Sequence, residues 1–313
     1  MKKYTGINDL DSIAETIQEA IKLKTNPYQF EKLGQCKTLV MVFFNASLRT
    51  RLSTEKAAKN LGMQVTVLHV SDAWELEFEE GTVMNLNTSE HVKEAAQVIS
   101  QYADVIAVRA FPKLENKEQD ESEFVMNSFI KYATVPIVNM ESATAHPLQA
   151  LTDAITIEEL KTKKKPKVVL SWAPHPKALP HAVANSFVHM MQELDVDFSI
   201  THPEGYELNP AITKNTSINH NQEEALQDAD FVYTKNWSNY KAYGKVTSQA
   251  PKWMITKEKL GKAKFMHCLP VRRNVVAADA VLDSDRSLVI HQTNNRTFAA
   301  QIVLKKLLEN SAS

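Results

Sequence analysis

A chain of 313 residues with 43% hydrophobic content is long enough for about two cores of ordinary domain size. Lys and Arg number 36 against 37 Asp and Glu, and the resulting net charge of -1 argues against a nucleic-acid or polyanion binder, so an anion site has to come from local placement. The 2 cysteines, Cys36 and Cys268, make no disulfide framework and match no metal-ligand spacing, no apolar run approaches the roughly 20 residues of a membrane span, and the polar N-terminus lacks a signal-peptide core; a soluble cytoplasmic protein with no nucleic-acid or membrane partner is expected.

Residues 9–24 carry Leu10, Ile13, Ile17, Ala20 and Ile21 at helical spacing, and Asn26-Pro27 ends the pattern. Strand and helix patterns then alternate. Strands are predicted over residues 38–44, 64–70, 104–109 and 136–140, with helices over 51–61, 89–102 and 121–132 between them. Residues 146–160 read as one longer helix with Pro147 in its first turn, followed by a charged surface connection over 161–167. A second alternation places strands at 168–172, 197–201, 231–234, 264–267 and 287–291 before a last helix over 296–308. Alternation of this kind predicts an α/β protein of two doubly wound parallel-sheet domains linked by interdomain helices. The boundaries are residues 1–150, completed by the C-terminal helix 296–313, and residues 151–295.

In open parallel sheets, ligands collect outside the carboxyl ends of the strands, so polar residues just past predicted strand ends are expected to face one cleft. The first such place reads Phe43-Phe44-Asn45-Ala46-Ser47-Leu48-Arg49-Thr50-Arg51, a strand handing over to a helix. Unpaired backbone N–H groups and the helix dipole favour an anion there, Arg49 adds a planar fork matched to phosphate, and Ser47 and Thr50 add hydroxyls. A plain helix cap is the alternative. With no glycine between Gly34 and Gly62, the corner is neither a Walker loop nor a dinucleotide fingerprint.

Further along, Arg109 ends a strand and suits either a salt bridge or a carbonyl or phosphate oxygen. His146 in His146-Pro147-Leu148-Gln149 is a cap or a donor to a substrate carbonyl. Cys268 in His267-Cys268-Leu269-Pro270 invites a nucleophile reading, but the chain shows no convincing third member of a triad. Arg296 opens the last predicted helix and by itself reads as an exposed arginine at a capped helix start, and Trp74 reads as a packing residue.

Ser47-Leu48-Arg49-Thr50-Arg51 resembles the Ser-x-Arg-Thr-Arg carbamoyl phosphate signature of the aspartate and ornithine carbamoyltransferases, and the histidine–proline, His-Cys-Leu-Pro and C-terminal arginine motifs follow in family order over nearly the whole chain. The resemblance implies carbamoyl phosphate binding at Ser47, Leu48, Arg49, Thr50, Trp74, Arg109, His146, Gln149, Cys268, Leu269 and Arg296, with Thr50, Arg109, His146 and Arg296 catalytic. It makes Cys268 a lining residue whose backbone carbonyl, with that of Leu269, receives the carbamoyl NH2 and the incoming amine. It also implies a homotrimer in which Trp74 reaches a neighbouring subunit's site, and it requires no metal or organic cofactor.

Departures narrow the family. Ordinary ornithine enzymes grip the free α-amino group with an Asp-x-x-x-Ser-Met-Gly loop, whereas this chain reads Thr234-Lys235-Asn236-Trp237-Ser238-Asn239-Tyr240. A cation at Lys235 repels a free α-ammonium and suits the α-carboxylate of an acylated amino acid. Trp172-Ala173-Pro174-His175-Pro176 and Val271-Arg272-Arg273-Asn274 resemble the N-acetylornithine and N-succinylornithine carbamoyltransferases, in which the proline-rich segment lies in a knotted loop of the second domain. Carried over by residue, the acylornithine ligands are Ser89, Glu141, His175, Lys235, Cys268, Leu269 and Arg272. The position of Ser89, just before Glu90-His91, is glutamate in the acetyl branch and proline in the succinyl branch. Serine imposes no repulsion on a succinyl carboxylate, so N-succinylornithine is favoured as carbamoyl acceptor in arginine biosynthesis, with N-acetylornithine as the alternative. From another class, a non-catalytic phosphometabolite-binding regulator stays open. A dehydrogenase does not, because Gly-x-Gly-x-x-Gly is missing.

Overall fold

The computed structural model of the chain describes residues 1–70, 74–85, 87–247 and 250–311; Asp72 and Ala73, next to Trp74, lie outside them. The chain divides into two compact units. Unit 1 comprises Met1–Lys113, Glu118–Leu148 and Arg296–Ser313, and unit 2 comprises Leu114–Lys117 and Gln149–Asn295.

In unit 1 the strands are β1 (Thr38–Phe43), β2 (Gln64–His69), β3 (Leu76–Glu77), β4 (Glu90–His91), β5 (Val105–Arg109) and β6 (Ile137–Glu141). Four of them form an all-parallel sheet in the order β2-β1-β5-β6, and β3 pairs with β4 separately through Leu76 and Glu90. The central strands β1 and β5 are apolar on both faces and buried, as a sheet covered by helices on both sides demands, while the edge strand β2 is half open to solvent. Helices α1 (Ile13–Leu23), α2 (Leu48–Asn60), α3 (Val92–Tyr102) and α4 (Phe124–Tyr132) wrap it. Val40, Val42, Ile106, Val108 and Phe129 belong to one buried cluster with Val92, Ala95 and Ile99, which holds the sheet against α3 and α4. Past α2 the chain turns at Gly62, whose φ of +83° and 2.0 Å clearance between a notional Cβ and the Glu31 carbonyl oxygen leave room for glycine alone.

Unit 2 repeats the design with β7 (Lys167–Trp172), β8 (Asp197–Thr201), β9 (Ser217–Asn219), β10 (Phe231–Lys235) and β11 (Lys264–Met266), parallel in the order β11-β10-β7-β8-β9. Its core gathers Val169, Val232, Ile255, Phe265 and Val281. The longer helices here are α5 (Pro147–Leu160), α6 (Ala182–Gln192) and α7 (Val289–Ser311), with α5 and α7 passing from one unit to the other.

Three expectations change. The strand expected over 287–291 does not form. Ser287 makes one isolated bridge to Phe265, and the chain enters α7 at Val289, so Arg296 lies inside that helix instead of opening it. A short apolar run fits either state, and here buried partners decide: Asn295 Nδ2 donates to Thr156 Oγ1 at 3.0 Å and to Glu159 Oε2 at 2.8 Å. The helix expected over 121–132 is broken at Glu123, whose φ of 52° is left-handed, and α4 starts after it. The helix expected over 89–102 starts at Val92 with His91 as cap, which leaves Ser89 ahead of it.

Candidate active site

In unit 1 the sheet order reverses between β1 and β5, the place where open α/β sheets leave a crevice at their carboxyl ends. Phe44 N donates to the Arg109 carbonyl at 2.9 Å, closing the sheet as the two chains part. Ser47 caps α2, its Oγ accepting from Thr50 N at 3.3 Å, so the capping role and the first-turn position coexist. Leu48 is exposed, Arg49 half-buried and Thr50 buried. Thr50 Oγ1 accepts a 2.9 Å hydrogen bond from Nη2 of Arg296, itself buried on α7.

Arg109 leaves the end of β5 nearly buried. Its Nη1 donates to the carbonyls of Asn45 at 2.9 Å and Ala46 at 3.1 Å, and Nη2 donates to Glu141 Oε2 at 3.0 Å. Phe111 stacks on the guanidinium, 4.2 Å from carbon to ring centroid, and Arg109 Nε is buried with no partner among the described residues. Burial presses the guanidinium's pKa down, the charge and hydrogen bond of Glu141 oppose that, and the nearby charge of Arg49 adds to the lowering. His146 Nε2 stands 3.6 Å from the same Glu141 oxygen. Arg109, Glu141 and His146 are thus one cluster, held together through one oxygen of Glu141.

The loop between Glu141 and His146 is fixed by Glu123. Its Oε1 accepts from Ser142 Oγ at 2.7 Å, Thr144 N at 2.7 Å and Thr144 Oγ1 at 2.5 Å, and its Oε2 from Ala143 N at 3.3 Å. Trp74 and Ser89 sit beside β3 and β4. Trp74 packs on the core of unit 1 with Nε1 donating to Glu90 Oε2 at 2.8 Å, and Ser89 N donates to the Glu75 carbonyl at 2.8 Å.

Unit 2 has its own order reversal, between β7 and β10, and the same closure: Ala173 N donates to the Lys235 carbonyl at 3.1 Å. Next to it, His175 Nε2 accepts from Arg272 Nε at 3.0 Å while Nδ1 lies 2.8 Å from the Lys177 carbonyl, which assigns the neutral tautomer with hydrogen on Nδ1. Burial, then the charges of Arg272, Lys235 and Lys177, hold its pKa below the usual histidine range, against the hydrogen bond to Lys177. His175, Lys235 and Arg272 therefore form a cationic group around a neutral imidazole. Such a set takes carboxylates.

Past β11, Leu269 is left-handed (φ 54°) and the Leu269–Pro270 peptide is cis. Leu269 N donates to His267 Nδ1 at 2.8 Å, and His267 N donates to Gln292 Oε1 at 3.0 Å, so the Cys268–Leu269 backbone is held from behind. Gln149 Nε2 donates to Asp153 Oδ1 at 2.7 Å. Asp153, Gln292 and Glu123 were not singled out in the sequence; only the four-residue step from Gln149 to Asp153 on one helix face signalled a partnership. Among the described residues no cluster of three or more His, Cys, Asp or Glu side chains is placed to hold a metal ion, and no helix is long and apolar enough to cross a membrane.

Comparison with known proteins agrees with these two units. A family model for the aspartate/ornithine carbamoyltransferase carbamoyl-P binding domain matches residues 2–159, and one for the Asp/Orn binding domain matches residues 180–307. N-succinylornithine carbamoyltransferase of Bacteroides fragilis is 46% identical over 99% of each chain. N-acetylornithine carbamoyltransferase of Xylella fastidiosa is 36% identical over 92% of this chain and 94% of its own. A solved glutamate-to-serine variant of N-acetyl-L-ornithine transcarbamylase, complexed with carbamyl phosphate and N-succinyl-L-norvaline, matches with a TM-score of 0.91 and 33% identity over 98% of this chain and 100% of that one. The chain belongs to the aspartate/ornithine carbamoyltransferase family.

Proposed function

We propose that the protein transfers the carbamoyl group of carbamoyl phosphate to the δ-amine of N-succinyl-L-ornithine, giving N-succinyl-L-citrulline and phosphate. The observation that carries the transfer reading is the hydrogen bond from Arg296 to Thr50 in the first turn of α2, which sets a cation at a Ser47-capped helix start, a combination that suits an anion, with Arg49 in the same turn. The phosphate sits on that turn. Thr50, Arg109 and His146 polarise the carbonyl while Gln149 and the Cys268 and Leu269 carbonyls hold the NH2 and the amine. Negative charge grows on the carbonyl oxygen and then on the leaving phosphate, so fixed donors lower the barrier more than they tighten ground-state binding. The amine attacks in its neutral form, and phosphate is a sufficient proton acceptor.

In unit 2, His175, Lys235 and Arg272 take the α-carboxylate and the acyl tail. The choice of succinyl over acetyl is supported by the 46% against 36% identity of the two kinds of relative, and by Ser89, which introduces no negative charge near the tail. Solved variants of N-acetyl-L-ornithine transcarbamylase in which a glutamate is replaced by serine, alanine or valine hold N-succinyl-L-norvaline. We also infer a cytoplasmic homotrimer. Leu48 and Leu52 on α2 and Val83 are 68%, 59% and 77% exposed, apolar surface that assembly would cover.

A colorimetric assay for the ureido product, run with N-succinyl-L-ornithine, N-acetyl-L-ornithine and L-ornithine, tests both levels. Succinyl preference is expected. Acetyl preference would reassign the acceptor, and absence of product with all three would leave only a binding protein.

A further inference from the structure

Asp153 is fully buried on α5, one turn after Gln149. A single oxygen of its carboxylate, Oδ1, accepts from two glutamines that arrive from different elements: Gln149 Nε2 at 2.7 Å and Gln292 Nε2 at 2.6 Å. A carboxylate only accepts, so both amides must turn their NH2 groups toward it and their carbonyl oxygens away. For Gln292 the turned-away oxygen is the one that receives His267 N at 3.0 Å, and His267 Nδ1 in turn receives Leu269 N at 2.8 Å. Tyr233, fully buried, faces both Asp153 and Cys268, and burial with those two neighbours keeps its hydroxyl protonated. One carboxylate therefore sets the orientation of the Gln149 amide and the backbone path of the Cys268–Leu269 loop together.

We propose that Asp153 is a positioning residue for carbamoyl transfer: it touches neither substrate, and it fixes Gln149 and the Cys268–Leu269 carbonyls in one mutual geometry. The role presupposes the carbamoyl transfer proposed above. It also predicts a separation of effects. The phosphate donors of α2 and Arg296 belong to unit 1, whereas everything Asp153 holds belongs to unit 2. Losing Asp153 should slow the reaction and leave phosphate binding alone.

The test is steady-state kinetics of Asp153→Leu, with inorganic phosphate binding measured by calorimetry and melting followed in parallel. A misplaced carbonyl and amide should lower kcat about 100-fold while phosphate affinity stays within about twofold. Asp153→Asn keeps one carbonyl acceptor and should recover about tenfold of that loss. In a Gln149→Ala background, Asp153→Leu should cost about tenfold less than in the unsubstituted protein, because part of what it disturbs is already gone. A kcat within about threefold of the unsubstituted protein, or an undiminished cost in the Gln149→Ala background, overturns the role. If Asp153→Leu does not fold, Gln292→Met decides, since it cuts the link to His267 N and leaves Gln149 on Asp153. A kcat about tenfold lower with phosphate binding kept supports the role, and an unchanged kcat overturns it. The unsubstituted protein separates the two hypotheses: without ureido product the transfer itself fails, whereas product formation with an indifferent Asp153→Leu sinks only the positioning role.

Discussion

Arg296 and Thr50 lie 246 residues apart in sequence, yet the Arg296 guanidinium donates to Thr50 Oγ1 at 2.9 Å inside the core of unit 1. The last helix thereby returns to the first turn of α2 and brings a second cation to a position that the helix dipole already favours. Arg296→Met should weaken carbamoyl phosphate binding by about 1.5–3 kcal/mol, the usual contribution of a hydrogen bond to a charged group, or about 10- to 100-fold in Kd. Calorimetric titration checks this, and a Kd within about twofold of the unsubstituted protein would remove Arg296 from the phosphate site.

Arg109 and Glu141 make a buried charged pair in unit 1, 3.0 Å apart with side chains 6% and 10% exposed. Removing one charge leaves the other desolvated. Glu141→Gln should lower unfolding free energy by about 3 kcal/mol in chemical denaturation. It should also slow turnover, because Arg109 is then free to leave the geometry it shares with His146. A loss below about 1 kcal/mol would mean that water or phosphate already satisfies the guanidinium.

What could be read from the chain beforehand follows the physics of the sheet. Runs such as Val105-Ile106-Ala107-Val108 are apolar on both faces, so buried parallel strands were legible, and with them the strand ends where Thr50, Arg109, His175 and Lys235 stand. Leu288-Val289-Ile290 was not, because a three-residue apolar run fits strand or helix until the Asn295 partners on α5 are known. The left-handed turn at Glu123 was invisible for another reason: glutamate gives no local signal for positive φ, and only the donors of residues 142–144 make that conformation worthwhile. The joint hold of Asp153 on Gln149 and Gln292 spans 139 residues between Asp153 and Gln292, a relation that only the tertiary fold creates.

His175 gives a pH prediction. Burial and the charges of Arg272, Lys235 and Lys177 depress its folded-state pKa below the unfolded value, so the folded protein binds fewer protons in that window than the unfolded chain. The contribution to stability is complete above the unfolded pKa of about 6.5 and is lost as pH falls through the folded pKa. NMR titration of the ring should show a midpoint under about 6.5, moving upward in Arg272→Ala, where the largest opposing charge is gone and the hydrogen bond to Nε2 with it. A midpoint that does not respond to Arg272→Ala would contradict the cationic cluster.

At Glu123 two effects can be separated. Both Glu123→Ala and Glu123→Gly abolish the hydrogen bonds to Ser142, Ala143 and Thr144, so both should destabilise the protein and lower kcat by loosening the approach to His146. The backbone at φ 52° suits glycine and strains alanine, so the glycine variant should be more stable than the alanine variant by about 1 kcal/mol. Equal melting behaviour would show that the turn relaxes once the clamp is cut.

Ser89 carries the prediction on acyl choice. The segment before β4 is tied down by the Ser89 N to Glu75 carbonyl bond, so a substituted side chain has a fixed origin. In Ser89→Glu a carboxylate placed about 4 Å from the succinyl carboxylate repels it by up to about 4 kcal/mol at an effective dielectric near 20, about a thousandfold in binding. The neutral acetyl tail feels no such repulsion. The ratio of kcat/KM for N-succinyl-L-ornithine over N-acetyl-L-ornithine should therefore collapse in Ser89→Glu while turnover of the acetyl substrate holds or rises. If both substrates lose activity in equal proportion, the side chain at this position disturbs the loop and does not meet the tail, and the selectivity resides with Arg272 and its neighbours.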